Sequence, residues 1–466
     1  MSEETQTKTH EAHIDNTARG ETTPDERFVE FMGQGWAPLN TGEISEHEGA
    51  KFAAARREKV SAAFAGKRLV IAAGVLKQRS NDTFYQFRAH TSFSHLTGWG
   101  SAAEPGAVLV FDPQEGGNAG NHDVTLYFNP PADRSNPEFF TDHEVGEFWI
   151  GSRPSLEQVA IMLGLPTKHL SELKNKDSDL TLDSKELSEF CDELRLVKDS
   201  YEIAEMEKAV NATGRGFEDV VANLQQAVAT QRGERVVEAT FHRRARVEGN
   251  WEGYDTIAAS GPHACTLHWV RNDGQVREGD LLLLDAGVEV DSLFTADITR
   301  TLPINGEFSP VQRKVYEAVL EAADEAFKIV RPGIKFRDVH NAAFAVIERY
   351  IKEWGLWPKD GDADVPYHRR YMVHGTSHHL GIDVHDCAAA RREMYYDGEV
   401  QEGMVFTIEP GLYFHPGDTT VPEEYWGIGV RIEDDIVVTT DGARNLSAHI
   451  PRKTDEVEAW VKAGQK

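Results

Sequence analysis

Apolar positions along the chain recur with two periods, and the alternation between them predicts the elements. The stretch E-H-E-G-A-K-F-A-A-A-R-R-E-K-V-S-A-A-F reads as helix. Short apolar runs at 69–71, 107–111 and 124–128 read as strands. Strands interleaved with helical stretches predict an α/β first domain over residues 28–195. Between the first two strands lies R-S-N-D-T-F-Y-Q-F-R-A-H-T-S-F-S-H-L-T-G-W, polar and aromatic together, with Asp82, Arg88 and His90. Such a segment either lines a groove or forms an aromatic-rich loop. A linker falls near 192–200. Asp199, followed three positions later by Glu202, is an N-cap signature. The helix it starts carries Ile203, Met206 and Val210 on one face and continues past Phe217 and Val221. A second helix follows Gly233, and short strands are expected near 254–257 and 281–284.

The second half repeats this plan. Ser309-Pro310 marks a helix start, with Pro at the first helical position. Val311, Val315, Val319, Ala322 and Ala326 recur at helical spacing until Arg331-Pro332-Gly333. A further helix is predicted from Phe336 to about Trp354, stopped by Gly355, and strands are expected to resume after Tyr371. Residues 1–27 hold almost no large apolar side chain and read as an acidic, disordered tail. Residues 196–466 read as one larger second domain.

Composition narrows the class. With 466 residues, 40% of them hydrophobic, the chain suits two or three globular domains. A net charge of −28 argues against nucleic acid or anionic lipid as a partner. No apolar run reaches the roughly 20 residues of a membrane span, and Met1 is followed by polar, acidic residues rather than a signal peptide. Cys191, Cys265 and Cys387 lie far apart, which suggests a reducing, cytoplasmic setting without disulfides.

Against that background, acids inside apolar runs demand an explanation, because buried charge is expensive unless paired or bound to metal. Asp285 closes L-L-L-L-D-A-G, and Asp297 follows in T-A-D-I-T-R-T. Glu409 closes M-V-F-T-I-E-P-G, and Glu433 follows in G-I-G-V-R-I-E-D-D-I-V-V. Each half thus offers one early and one late carboxylate from a strand pair, at intervals of 12 and 24 residues. A two-fold pseudo-symmetric sheet would bring the four together, the second hairpin carrying a longer loop. Strand alternation puts Thr299 on the face of Asp297, and Arg431 on the face of Glu433. Taken alone, Asp297 reads as an edge acid, and Glu433 in E-D-D as part of a solvated charge run. His374 and His378 stand four apart, but without the Glu of H-E-x-x-H, so a loop leading into a strand fits better than a zincin helix. His268 and His385 are further candidates beside the ordinary reading of satisfied structural histidines. Four carboxylates and one imidazole make an oxygen-rich donor set that suits Mn(II), with Co(II), Fe(II) or Zn(II) as alternatives. Two such ions could share a water, lower its pKa and direct it to an acyl carbon, with Glu409 as candidate proton shuttle.

These motifs, with Y-D-T-I-A-A-S-G, L-H-W, H-G-T-S-H-H-L-G-I-D-V-H-D and E-P-G-L-Y, resemble the pita-bread metallopeptidases and, within them, the Xaa-Pro aminopeptidase (aminopeptidase P) family. The first domain resembles that family's creatinase-like N-terminal domain through R-S-N-D-T-F-Y-Q-F-R and L-T-G-W. The resemblance implies an α/β creatinase-like domain followed by a pseudo-two-fold catalytic domain. It implies that Asp285, Asp297, His378, Glu409 and Glu433 ligate two Mn(II), with Glu409 also the proton shuttle. It implies that His268 and His385 bracket the scissile bond, that His374 and Arg431 shape the proline side, and that Tyr254 lies near the metals. It further implies a homodimer or homotetramer in which Asp82 and Trp149 belong to a contact between neighbours. The substrate would be a peptide with proline second, whose tertiary amide offers no N–H to an ordinary aminopeptidase. Prolidase, which takes dipeptides, shares fold and ligands. A methionine aminopeptidase would lack the first domain, and a metal-free peptide-binding or creatinase-type relative would have lost ligands.

Overall fold

A computed structural model describes residues 25–37, 44–81, 83–114, 121–362 and 364–465. The chain divides into two compact units: one takes the described residues up to Trp99 with Ala103–Thr181, the other Gly100–Ala102 with Leu182 onward.

The first unit is built on a five-stranded mixed sheet. Its strands run in the order Thr167–His169, His122–Phe128, Val108–Pro113, Leu69–Ala72, Leu180–Thr181. The predicted helix is present as Ala50–Ala63. The polar-aromatic segment resolves a question left open by composition. Its last part is neither groove nor loop but the buried helix Thr91–Thr97, and Phe93, Leu96 and Trp99 join the core. Trp99 meets Phe128 edge-on, at 5.3 Å between ring centroids.

The second unit plays one sequence of elements twice. Helices Ser200–Val228 and Gly233–Glu248 precede strands Ile257–Ser260, Leu281–Ala286 and Ile298–Pro303. Helices Pro310–Ile329 and Phe336–Glu353 precede strands Val405–Ile408, Gly411–Phe414, Ile428–Arg431 and Asp434–Val438. The helix starts are where side-chain chemistry predicts them. Asp199 and Glu202 close a reciprocal capping box, as do Ser309 and Gln312. Asp285 pairs with Thr299 across the first antiparallel ladder, and Ile408 with Asp434 across the corresponding one.

The leucine run shows how an aspartate is delivered from an apolar strand. Leu282, Leu284 and Ala286 join the main core, whereas Leu283 turns to a second cluster with Ile257, Ala259 and Tyr413. Asp285 shares the face of Leu283 because strand side chains alternate. Both faces are covered, so the run is continuously apolar.

Three expectations need correction. The early strand begins at Ile257, leaving Tyr254 in a turn before it. The strands expected after Tyr371 resume only at Val405: the polar, glycine-containing segment 372–404 is loop, joined to the sheet by the isolated bridge of His379 with Phe406. The long second interval is not a simple loop, because it holds a strand pair of its own, Gly411–Phe414 with Ile428–Arg431.

Arg300 stitches the halves together. It is fully buried; its guanidinium donates to the carbonyls of Glu433 and Pro451 and pairs with Asp434 at 2.7 Å. Removing one partner of a buried pair leaves the other charge uncompensated, at a cost of about 3–5 kcal/mol. Arg300→Met is therefore expected to lose stability on that scale in urea denaturation. An unchanged midpoint would mean that the pair contributes nothing.

Candidate metal and peptide site

A cavity of about 730 Å³ opens in the second unit, and all five acid and histidine candidates line it. The strands carry the acids to it. Asp285 lies near the end of its strand, Asp297 directly before the next, Glu409 directly after Val405–Ile408, and Glu433 directly before Asp434–Val438. The two halves meet there, where the Glu433 N–H donates to the Thr299 carbonyl at 3.1 Å. The Thr299 hydroxyl donates to Glu433 Oε2 at 2.7 Å, so Thr299 holds a candidate ligand as its strand face predicts.

Arg431 is the cation that holds this edge. Its guanidinium donates to Asp285 Oδ2, to the Tyr413 hydroxyl at 3.0 Å and to Thr299 Oγ1 at 3.1 Å. The Tyr254 hydroxyl lies between Asp285 and Asp297, at 2.6 Å from Asp285 Oδ1. His378 Nδ1 lies 3.2 Å from the His379 carbonyl, and Nε2 faces Asp297 and Glu409 at 3.2 and 3.7 Å. Single atoms of Asp297, His378 and Glu433 all lie within 4.8 Å of one another.

The electrostatics are those of a cation site. Burial, then crowding by neighbouring acids, pushes Glu433 well above the ordinary carboxylate range and Glu409 up to about 7. Burial likewise raises Asp285, against the opposing pull of Arg431. Burial works against charge on His378, but the hydrogen bond to Asp297 and the charges of Glu409 and Asp297 outweigh it and hold the imidazolium up to about 9. Oxygen donors and one imidazole, crowded and short of positive charge, fit divalent metal.

The remaining candidates line the same cavity: Tyr254, His268, His374, His385 and Arg431. His374 Nε2 meets the Tyr413 hydroxyl at 2.9 Å, and Nδ1 lies 3.7 Å from Glu409 Oε2. Burial and Arg431 push His374 down to about 4, so it is a neutral ring at neutral pH. His385 stands edge-on to His378, at 4.3 Å between ring centroids. Its neighbour Asp386 is buried against Arg195 at 2.9 Å and Lys198 at 3.5 Å, which pins the loop. Trp149 belongs to the first unit, half exposed, its indole N–H donating to the Phe140 carbonyl at 2.8 Å. Asp82 lies outside the described residues.

Sequence reasoning missed three residues. Tyr413 joins Arg431 to His374, though it stands in the quoted motif E-P-G-L-Y. The E-D-D run is not solvated: Asp434 and Asp435 are both buried, and Asp435 accepts the Asp297 N–H at 3.1 Å. Strand position between two apolar residues was the available signal.

Comparison with known proteins shows the family to which the chain belongs. Residues 204–440 match Metallopeptidase family M24, and residues 53–187 match the aminopeptidase P N-terminal domain. Xaa-Pro aminopeptidase 1 of Streptomyces coelicolor is 50% identical, over 94% of this chain and 92% of that one. Among solved structures, aminopeptidase P from Escherichia coli with the inhibitor Pro-Leu superposes with a TM-score of 0.75 at 28% identity, over 90% of this chain and 99% of that one. A zinc-substituted form of the same E. coli enzyme in complex with product also superposes at 0.75 and 28%, over 91% and 100%.

A metal held by these candidate ligands would displace the protons that Glu409 and His378 carry without it. Both pKa values lie above their ordinary ones, so both groups are protonated at pH 6 and progressively freed as pH rises through about 7 and about 9. Metal affinity is thus expected to rise from pH 6 to pH 8, by up to about tenfold per pH unit for each proton released. Calorimetry in buffers of different ionisation enthalpy counts those protons. Uptake without proton release would contradict the protonation states assigned here.

Proposed function

We propose that this chain, which belongs to metallopeptidase family M24, is an Xaa-Pro aminopeptidase that releases the N-terminal residue from peptides with proline second. The observation that carries this reading is 50% identity to an Xaa-Pro aminopeptidase along nearly the whole chain, together with a cavity lined by the five candidate ligands. Prolidase is less well supported, because the relatives that align over the whole chain are named aminopeptidases.

In this reading Asp285, Asp297, His378, Glu409 and Glu433 hold two divalent cations, with Mn(II) the metal their hardness suits best. When bound, the cations neutralise the carboxylates and supply the Lewis acidity and acidified water that acyl hydrolysis needs. Glu409, between His374 and His378, carries a proton to the leaving proline nitrogen. His268 and His385 bracket the scissile bond and donate hydrogen bonds to the developing oxyanion. His374 and Arg431, joined through Tyr413, shape the wall against the pyrrolidine ring. Tyr254 fixes the orientation of Asp285 and Asp297. The domains are 28–195 and 196–466, after a tail of 27 residues. The enzyme works in the cytoplasm as a homodimer or homotetramer, with Asp82 and Trp149 at a contact between neighbours. Among the described residues, no helix is long and apolar enough to cross a membrane.

Release of the first amino acid from Arg-Pro-Pro and from Ala-Pro, with Mn(II) and with chelator, tests the activity. Cleavage of the tripeptide, lost with chelator and restored by Mn(II), is expected; cleavage of the dipeptide alone would move the assignment to prolidase. Asp297→Asn is expected to abolish both metal loading and turnover. His385→Ala is expected to keep metal and lose turnover by about 10²-fold or more, the scale of a lost oxyanion donor. Wild-type turnover in that variant would reduce His385 to a structural role.

A further inference from the structure

His268 lines the cavity, yet its side chain makes no hydrogen bond among the described residues. Its place is therefore set by the backbone of the loop that carries it. Asn272 ties the chain at its base, accepting the Ala258 N–H and donating to the Thr256 carbonyl, and a single carboxylate grips the legs on either side of His268. Glu234, the second residue of helix Gly233–Glu248, is wholly buried. Its Oε1 accepts the Ser260 N–H at 2.9 Å and the His263 Nδ1–H at 2.7 Å, both before His268 in the chain. Its Oε2 accepts the Trp269 indole N–H at 2.9 Å and the Gly274 N–H at 2.6 Å, both after it. Each carboxylate oxygen thus takes one leg of the loop.

Two features show that the chain is shaped to this grip. A Cβ on Gly274 would stand 2.7 Å from Glu234 Oε2 and 2.6 Å from the His263 ring, so only glycine permits the approach. The His263 and Trp269 rings stack at 3.8 Å, which sets both donors side by side. These four donors satisfy both oxygens of a carboxylate that burial cuts off from water. An amide in its place keeps one oxygen and turns an NH2 toward donors on the other leg, so one leg must open.

We propose that Glu234 is a positioning residue for His268, acting through the Ser260–Gly274 loop and not on the metals. The proposal rests on the reading that His268 acts at the scissile bond. Glu234→Gln in the metal-loaded full chain is expected to keep the wild-type metal content while kcat on Arg-Pro-Pro falls between about tenfold and about 100-fold, as for a displaced catalytic group. In a His268→Ala background the same substitution is expected to cost nothing further. An equal loss in both backgrounds would overturn the proposal. Trp269→Phe removes a single donor and carries the same comparison if Glu234→Gln does not fold. The His268 Cε1–H resonance, identified by its loss in His268→Ala, reports the loop without turnover. It is expected to move in Glu234→Gln, and an unmoved line would overturn the clamp. If the wild type cleaves no Xaa-Pro peptide, the functional reading fails, and this resonance alone decides the clamp.

Discussion

Crowding of buried carboxylates is the constraint from which the second unit is built. Asp285, Asp297, Glu409, Glu433 and Asp435 all converge on one region, answered by Arg431 and His378. Two unit charges about 4 Å apart repel by about 4 kcal/mol at an effective dielectric of about 20. Several such pairs rival the roughly 5–15 kcal/mol by which a domain is stable. The protein meets part of that cost by taking up protons, which is why burial and crowding raise Glu409 and Glu433. Hydrogen bonds from Thr299 and Tyr254 meet another part. Divalent cations answer the remainder, and membership of a metallopeptidase family is what this charge balance calls for.

The duplicated architecture follows from needing acids from two directions. One helix pair and strand group delivers Asp285 and Asp297; its repeat delivers Glu409 and Glu433. Each group brings two carboxylates, and the bonds that join them lie directly behind these candidate ligands. Glu433 N–H reaches Thr299, Arg431 reaches Asp285, and Arg300 pairs with Asp434. A shift of one half against the other would therefore break ligand geometry before it broke the core.

What the sequence disclosed, and what it hid, divides along local and non-local physics. The helix start at Ser200 was legible because Asp199 and Glu202 stand three positions apart, and that at Pro310 because proline suits the first helical position. The acids were legible because charge inside an apolar run contradicts its surroundings. Asp434 and Asp435 were hidden, because E-D-D looks like solvated surface until Arg300 and the Asp297 N–H arrive from more than a hundred residues away. The loop nature of the segment after Tyr371 was hidden for a related reason. Its backbone finds partners only as scattered bridges, His379 with Phe406 and Glu399 with Lys335, which no local pattern announces. Glu234 resembles any acid in the first turn of a helix, where the dipole alone would justify it.

The site separates two demands on precision. The carboxylates ride on or against strands buried on both faces, where packing fixes them. The histidines that line the cavity ride on loops, and a loop holds a fixed geometry only if something other than a ladder clamps it. His379 is sandwiched among Phe336, Tyr395 and Phe406 and offers its carbonyl to His378. Asp386, beside His385, is locked between Arg195 and Lys198. His268 makes no side-chain hydrogen bond among the described residues, and the carboxylate of Glu234 reaches both legs of its loop, beside the Asn272 tie to Thr256 and Ala258. His268 and His385 thus depend on buried polar anchors, Glu234 and Asp386, whereas the strand-borne carboxylates depend on apolar packing together with their own hydrogen bonds. Substitutions in the two groups should fail differently: loss of an apolar contact loosens metal, and loss of an anchor spares metal while misplacing the group that meets the peptide.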